Sequence, residues 1–254
     1  MRMTRAEVEE FRELRRKEGR LAAGQFLLEG WRALSEATPS LVESIAVHSE
    51  LVERPELAPL RERGVPIKTL SERDLARISA TEHSQGVVAK VRMPENNPAA
   101  LFASGDALWL ALDRVADPGN LGTILRAVDW FGAAGVLLGR GCVDPFNEKV
   151  VRATAGSLFH VPIVSELDLA AKLRDARSAK FEIAVTAMDG KSVLGDWRPG
   201  RRCVVVLGSE AHGVSPDVQS AASTTVRIPR FGLGESLNVA IAAGIMLAHC
   251  RMRS

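Results

Sequence analysis

The run Cys203-Val204-Val205-Val206-Leu207-Gly208-Ser209-Glu210-Ala211-His212-Gly213 decides the fold class. Its first five residues are apolar and partly β-branched, with no alternation of period two. That is the pattern of a strand buried on both faces, as in parallel sheets covered by helices. The run then breaks into a glycine turn that carries a carboxylate. Four more segments read as buried strands, at 107–112, 135–138, 181–186 and 225–228. Helical patterns lie between and after them at 121–131, 148–157, 167–176 and 237–250. The alternation predicts an α/β chain with an open, mostly parallel sheet and helices on both faces. Ligands of such sheets bind outside the carboxyl ends of the strands.

A smaller α/β unit precedes this sheet. Thr4 and Glu7 form a capping box that opens a charged helix over the first twenty residues. Its positive set is Arg2, Arg5, Arg12, Arg15, Arg16, Lys17 and Arg20, interleaved with acids. The face reads either as solvated and laced with i,i+4 pairs or as an RNA contact, with Arg15, Arg16 and Lys17 at phosphate. Strand patterns follow at Phe26-Leu27-Leu28, 44–47, 65–69 and 86–91. Helical patterns run from Trp31 to Ala37, over 51–63 and over 72–78. Met93-Pro94-Glu95-Asn96-Asn97-Pro98 reads as a linker. The predicted organisation is therefore a first domain over 1–95, a linker over 96–104 and a second domain over 105–254.

Composition narrows the class without naming a function. The 254 residues are 46% hydrophobic and 25% charged, which excludes disordered, collagen-like and coiled-coil chains. The net charge is +2, and residues 1–95 hold 16 basic against 16 acidic side chains, so any nucleic-acid contact must come from a local patch. Cys142, Cys203 and Cys250 form no CxxC pair, and the five histidines no HxxxH pair. No metal site and reduced thiols in a cytoplasmic protein are expected. The N-terminus has no secretory pattern, and the apolar stretch 239–248 is too short for a membrane span.

Three strand-to-loop junctions concentrate the unusual residues. The first, from Asp113 to Arg126, follows strand 107–112. Asn120 reads either as the cap of the next helix or as a site residue, and Arg126 as a site residue or a surface charge. The second is the turn Leu207-Gly208-Ser209-Glu210-Ala211-His212-Gly213, where Glu210 is a ligand group or a solvated turn residue. The third runs from Ile228-Pro229 through Gly232 and Gly234 to Ser236-Leu237-Asn238, and then into a helix rich in small residues. None is a P-loop, and Gly139-Arg140-Gly141 lacks the remaining glycine of a dinucleotide fingerprint.

Together, in this order, the three junctions resemble the three motifs of the SpoU (TrmH-type) RNA ribose 2′-O-methyltransferases of the SPOUT superfamily. The matches are Asn120 with Arg126, Gly208 with Glu210 and Gly213, and Ile228-Pro229 with Ser236-Leu237-Asn238. The resemblance covers about residues 105–254. The stretch 1–95, with Phe26-Leu27-Leu28-Glu29-Gly30, is similar to the substrate-binding domain that many members carry. The resemblance implies a trefoil knot through the loops at 208–213 and 228–238, and a homodimer. It implies S-adenosylmethionine as methyl donor, held by Thr186, Ala187, Leu207, Gly208, Gly213, Ile228, Ser236 and Leu237, without a metal. The catalytic set it implies is Asn120, Arg126, Glu210, Ser236 and Asn238. Arg126 would clamp phosphate or help activate the 2′-hydroxyl, and Glu210 would fix the loops or pair with Arg126. The implied substrate is RNA, 23S ribosomal RNA before transfer RNA. A non-catalytic RNA-binding protein of this fold and a nucleotide-dependent α/β enzyme are the rival readings.

Overall fold

The computed structural model describes residues 1–81, 84–95, 101–102 and 105–253. These form two units, Met1–Glu95 with Phe146–Phe159, and Asn96–Pro145 with His160–Ser254. The segment 146–159, which the sequence places in the second domain, thus packs with the first. Of the expected linker, residues 96–100 and 103–104 lie outside the described residues. Leu101 and Phe102 belong to the core of the second unit, with the Phe102 ring 5.1 Å from Phe181 and 6.1 Å from Trp109.

The first unit comprises α1 (Arg5–Glu13), α2 (Lys17–Ala23), β1 (Gln25–Glu29), α3 (Trp31–Glu36), β2 (Val42–His48), α4 (Ala58–Glu62), β3 (Ile67–Leu70), α5 (Glu72–Ile78) and β4 (Val87–Arg92). Its sheet has the order β1-β4-β2-β3 and is antiparallel except between β2 and β3. The capping box of Thr4 and Glu7 forms as expected. The single long helix does not: the chain breaks between α1 and α2. There the buried Arg20 donates to the carbonyls of Leu14 and Arg15, both at 3.0 Å. Gly19 lies so close to Glu13 that a Cβ would sit 2.2 Å from its carbonyl oxygen. Arg20 therefore serves the fold and leaves the candidate RNA face. The predicted helix over 51–63 shrinks to two 3₁₀ turns and α4, because Pro55 and Pro59 lack the amide donors a continuous helix needs. On β1, Leu27 faces a core with Phe11 of α1 and Ile78 of α5. Phe26 points the other way, onto Phe146 and Phe159 at 5.0 and 6.2 Å. The helix α7 (Glu148–Thr154) lies on that side and contacts β1.

The second unit holds β5 (Ala107–Asp113), α6 (Pro118–Trp130), β6 (Gly135–Gly139), β7 (Ile163–Leu167), α8 (Leu169–Ser178), β8 (Glu182–Thr186), β9 (Ser192–Val193), β10 (Arg202–Gly208), α9 (Pro216–Gln219), β11 (Thr224–Arg227) and α10 (Val239–Arg253). Seven strands run in the order β7-β6-β5-β10-β8-β11-β9, and every pairing is parallel. The expected open sheet is there, with β7 and β9 as additional edge strands. Trp109 and Ala111 of β5, Val204 and Val206 of β10, and Ile183 and Val185 of β8 share one core with α8 and α9. The alternate residues face the other side, where α10 contacts both β10 and α6. Both faces are covered, which is why the strands read as unbroken apolar runs. Cys203 of β10 and Cys250 of α10 are both buried, and the Cys250 thiol lies close enough to act on Cys203. That neighbour and burial both push the Cys203 thiol far up.

Asp117, not Asn120, caps α6. Its carboxylate accepts the Asn120 amide at 2.7 Å, and Pro118 takes the first helical position. Asp117→Ala is expected to cost about 1 kcal/mol and to lower the melting temperature by about 2–4 °C in calorimetry.

Candidate active site

The cap at Asp117 leaves the Asn120 side chain free for another task. Asn120 Nδ2 donates to Glu210 Oε1 at 2.5 Å, and Asn238 Nδ2 donates to Asn120 Oδ1 at 2.8 Å. Asn238 sits just before α10, and its Oδ1 accepts the amides of Ala240 and Ile241 at 2.9 and 3.3 Å. Those two amides can only donate, so Asn238 must present oxygen to α10 and nitrogen to Asn120. Asn120 must then turn its own nitrogen to Glu210. The relay runs in one direction, from the amino end of α10 to a carboxylate. Each bond polarises the next, and the orientation of both carboxamides is fixed. Three residues from three separate junctions, up to 118 positions apart, meet in one chain of hydrogen bonds.

The turn that carries Glu210 is closed on itself. Gly213 donates its amide to the Ser209 carbonyl at 2.8 Å, and Ser209 and Gly213 form an isolated bridge. Gly208, beside Asp113 in the β5–β10 register, lies under the returning chain. A Cβ there would stand 2.0 Å from the Gly213 carbonyl carbon. Asp113 is buried and accepts the Ser215 amide at 2.7 Å, which holds the exit of the turn. Sequence analysis missed this role. Its signal was a carboxylate ending an otherwise apolar strand.

At the carboxyl ends of β8, β10 and β11 these loops enclose a cavity of about 480 Å³, within the usual range for small-molecule sites. Thr186, Ala187, Leu207, Gly208, Gly213, Ile228, Ser236 and Leu237, the eight residues expected to hold the methyl donor, all line it, as does Glu210. Pro229 of the third motif lines it too, and Met188, Val226, Arg230, Phe231 and Glu235 line it as well and escaped sequence analysis. Thr186 anchors the floor by donating to the Val206 carbonyl at 3.0 Å. Asn120 and Asn238 are outside the lining but are tied to it through Glu210. Ser236 is exposed and makes no side-chain hydrogen bond among the described residues. Arg126 is exposed on α6, with no hydrogen bond or ion pair among the described residues. It stands about 9 Å along the axis from Asn120 and a third of a turn round it. Glu210 therefore engages Asn120, and the expected Glu210–Arg126 pair is not formed. No group of three potential ligand side chains is arranged for a metal among the described residues.

The profile of the SpoU rRNA Methylase family matches residues 107–248. The chain belongs to this family. The profile of the MRM3-like substrate binding domain matches residues 5–89, ahead of the SpoU region. The chain is 31% identical over 246 residues to the 23S rRNA (guanosine(2553)-2′-O)-methyltransferase of Bacillus subtilis, spanning 96% of this chain and 95% of that one. Among solved structures it is similar to a putative RNA methyltransferase of the TrmH family from Porphyromonas gingivalis. The TM-score is 0.87, with 31% identity and full coverage of both chains. It is also similar to the SpoU methyltransferase AviRb of Streptomyces viridochromogenes in complex with AdoMet, with a TM-score of 0.85, 27% identity and 98% coverage of each chain. The family and the open parallel α/β sheet expected from the sequence are thus the ones found. SpoU membership places the chain among methyltransferases that draw on S-adenosylmethionine.

Proposed function

We propose that this chain transfers a methyl group from S-adenosylmethionine to a ribose 2′-hydroxyl of 23S ribosomal RNA, in the cytoplasm and as a homodimer. The observation that carries the reading is the relay from Asn238 through Asn120 to Glu210, beside a cavity lined by glycine turns, apolar side chains and a few polar ones. The cavity suits the donor in size. The space that a Cβ would need at Gly208 is already taken by backbone, so the turn forms a rigid cradle. S-adenosylmethionine supplies an activated sulfonium methyl, so the chain's own task is to orient the ribose and bring its hydroxyl to a state that can lose a proton. Asn120 and Asn238, fixed by the relay, orient the ribose. Glu210 holds the cavity turn against α6. Arg126, with its guanidinium free of partners among the described residues, clamps the phosphate beside the target sugar. A guanidinium is a poor proton acceptor, so the clamp is its stronger role. Ser236 contributes a hydroxyl at the rim. The trefoil knot through 208–238 belongs to the same proposal.

Residues 1–95 serve as the RNA-binding part, with Arg12, Arg15, Arg16 and Lys17 as its phosphate contacts. Arg12, Arg15 and Arg16 lie against Glu9, Glu148 and Glu13 at 3.2, 3.6 and 3.7 Å. Exposed pairs of this kind are weak enough to be exchanged for phosphate. Incubation with methyl-labelled S-adenosylmethionine and total RNA from a deletion strain, followed by mapping of modified nucleosides, tests the reading. A 2′-O-methyl nucleoside in 23S RNA is expected. Label only in transfer RNA moves the substrate, and no label with intact S-adenosylmethionine binding supports a non-catalytic binder. Binding of NAD or ATP in place of S-adenosylmethionine would point to the nucleotide-dependent rival.

The homodimer has its own support. Phe231 and Leu233 are almost fully exposed, and Ile241 of α10 is exposed near them in sequence. An apolar edge of this kind calls for a covering partner. Light scattering at micromolar concentration is expected to give twice the chain mass, and activity is expected to survive EDTA. A monomer, or activity restored only by a divalent ion, would remove one half of this statement or the other.

A further inference from the structure

Arg114 ends β5 in a conformation that its residue type disfavours. Its φ is 59°, in the left-handed region, where glycine or asparagine would be at ease. Strain of this kind is kept where the side chain is needed. The side chain is 42% exposed. Its Nε is buried 3.5 Å from Asp113 Oδ1 and makes no hydrogen bond. The other oxygen of Asp113 is already engaged by the Ser215 amide.

A second loop is folded onto this one. The Val143 amide donates to the Val115 carbonyl at 3.0 Å, and the Cys142 thiol to the Leu112 carbonyl at 3.3 Å. A Cβ on Gly141, whose φ is +87°, would lie 3.2 Å from Arg114 Cγ. Next to Gly141 stands Arg140, exposed and without an ion pair or side-chain hydrogen bond among the described residues. Leu112 pairs with both Leu138 and Leu207, so the ends of β6, β5 and β10 stand side by side at one level. The two arginines therefore follow the carboxyl ends of neighbouring strands at the same end of the sheet as the cavity, beside the boundary between β5 and β10, whose onward connections run to opposite sides of the sheet. That is the switch point at which open parallel sheets take their ligands. Asp113 divides its carboxylate between the Ser215 amide and the ion pair with Arg114, and Asp117 is committed to the cap of α6.

We infer that Arg114 and Arg140 form a phosphate-binding rim that seats the substrate RNA backbone at the carboxyl ends of β5 and β6. The inference rests on the proposed RNA substrate and adds residues outside the motif positions. The test compares wild type with Arg114→Asn/Arg140→Gln. Asparagine is chosen because it tolerates the left-handed backbone, so charge is removed without added strain. Binding to a 23S ribosomal RNA transcript is measured between roughly 50 and 200 mM salt, with KM, kcat and S-adenosylmethionine affinity alongside. Two lost phosphate contacts should flatten the log–log salt slope by about 1.4–1.8 and weaken binding about tenfold or more at low salt. KM for RNA should rise more than kcat falls, and S-adenosylmethionine affinity and melting temperature should not change. Arg114→Lys alone should keep the wild-type slope. An unchanged slope in a folded double variant overturns the assignment. If the double variant melts early, Arg140→Gln, whose side chain holds nothing in place, carries the same test with half the change in slope. Wild-type methylation of the transcript with equal binding by the variant defeats the rim alone. Failure of wild type to bind RNA defeats the functional reading and the rim together.

Discussion

Gly208→Ala is expected to lose S-adenosylmethionine affinity by about 100-fold or more, roughly 2.7 kcal/mol. The cause is local and steric. The added methyl would sit 2.0 Å from the Gly213 carbonyl carbon, 2.1 Å from its oxygen and 2.3 Å from the Val214 nitrogen. All three are backbone atoms, so relief requires the whole return of the turn to move. Moving it breaks the Gly213–Ser209 hydrogen bond and pulls Ser215 from Asp113. Gly232→Ala is the matched control. Gly232 lines the same cavity, and its Cβ would meet nothing within 4 Å. Calorimetric titration of both variants settles the matter. Equal, near-wild-type affinities would remove Gly208 from the donor site.

Arg126→Ala is expected to lower the methyl-transfer rate by about 10³-fold while leaving S-adenosylmethionine affinity within twofold, a loss of the size seen when a charge-stabilising donor is removed. The split follows from position. Arg126 lies on α6, whereas the cavity is built from the loops after β8, β10 and β11. It has no partner among the described residues, so its removal leaves no buried group unpaired and should not disturb the fold. Arg126→Lys should also fail, because an ammonium offers a point charge where a planar fork is needed. Single-turnover rates on native RNA decide the question. A retained rate in Arg126→Ala would make this arginine an ordinary surface charge and turn attention to Asn120 and Asn238.

What could be read from the sequence followed the strength of local signals. The strands β5, β6, β8 and β10 were legible because burial on both faces leaves unbroken apolar runs, and β11, where only Val226 is buried, from its β-branched residues. The edge strand β7 was not: Ile163–Leu167 includes Ser165 and Glu166 on a half-exposed border, and nothing in its pattern separates it from the start of a helix. The two-residue β9 is defined only by its pairing with β11. The cap of α6 falls at Asp117-Pro118, three residues before Asn120, because both residue types can cap a helix and only the folded backbone separates them. The break between α1 and α2 depends on a buried arginine donating to two carbonyls, and side-chain burial of a charge has no local sequence signature. In the site, the motifs named Asn120, Glu210 and Asn238. The direction of the relay and the engagement of Glu210 with Asn120 come only from the assembled loops.

The return of Phe146–Phe159 to the first unit has a consequence for biosynthesis. Phe26 meets its aromatic partners only after residue 159 has been made, long after Glu95 completes the rest of that unit. At cellular elongation rates the wait is on the order of ten seconds, longer than most small domains need to fold. During that interval one side of the nascent β1 is a bare apolar face, open to chaperones. The same topology means that no single proteolytic cut separates one unit from the other. A shortened chain ending at residue 95 should collect chaperones or aggregate, whereas one reaching residue 160 should emerge protected.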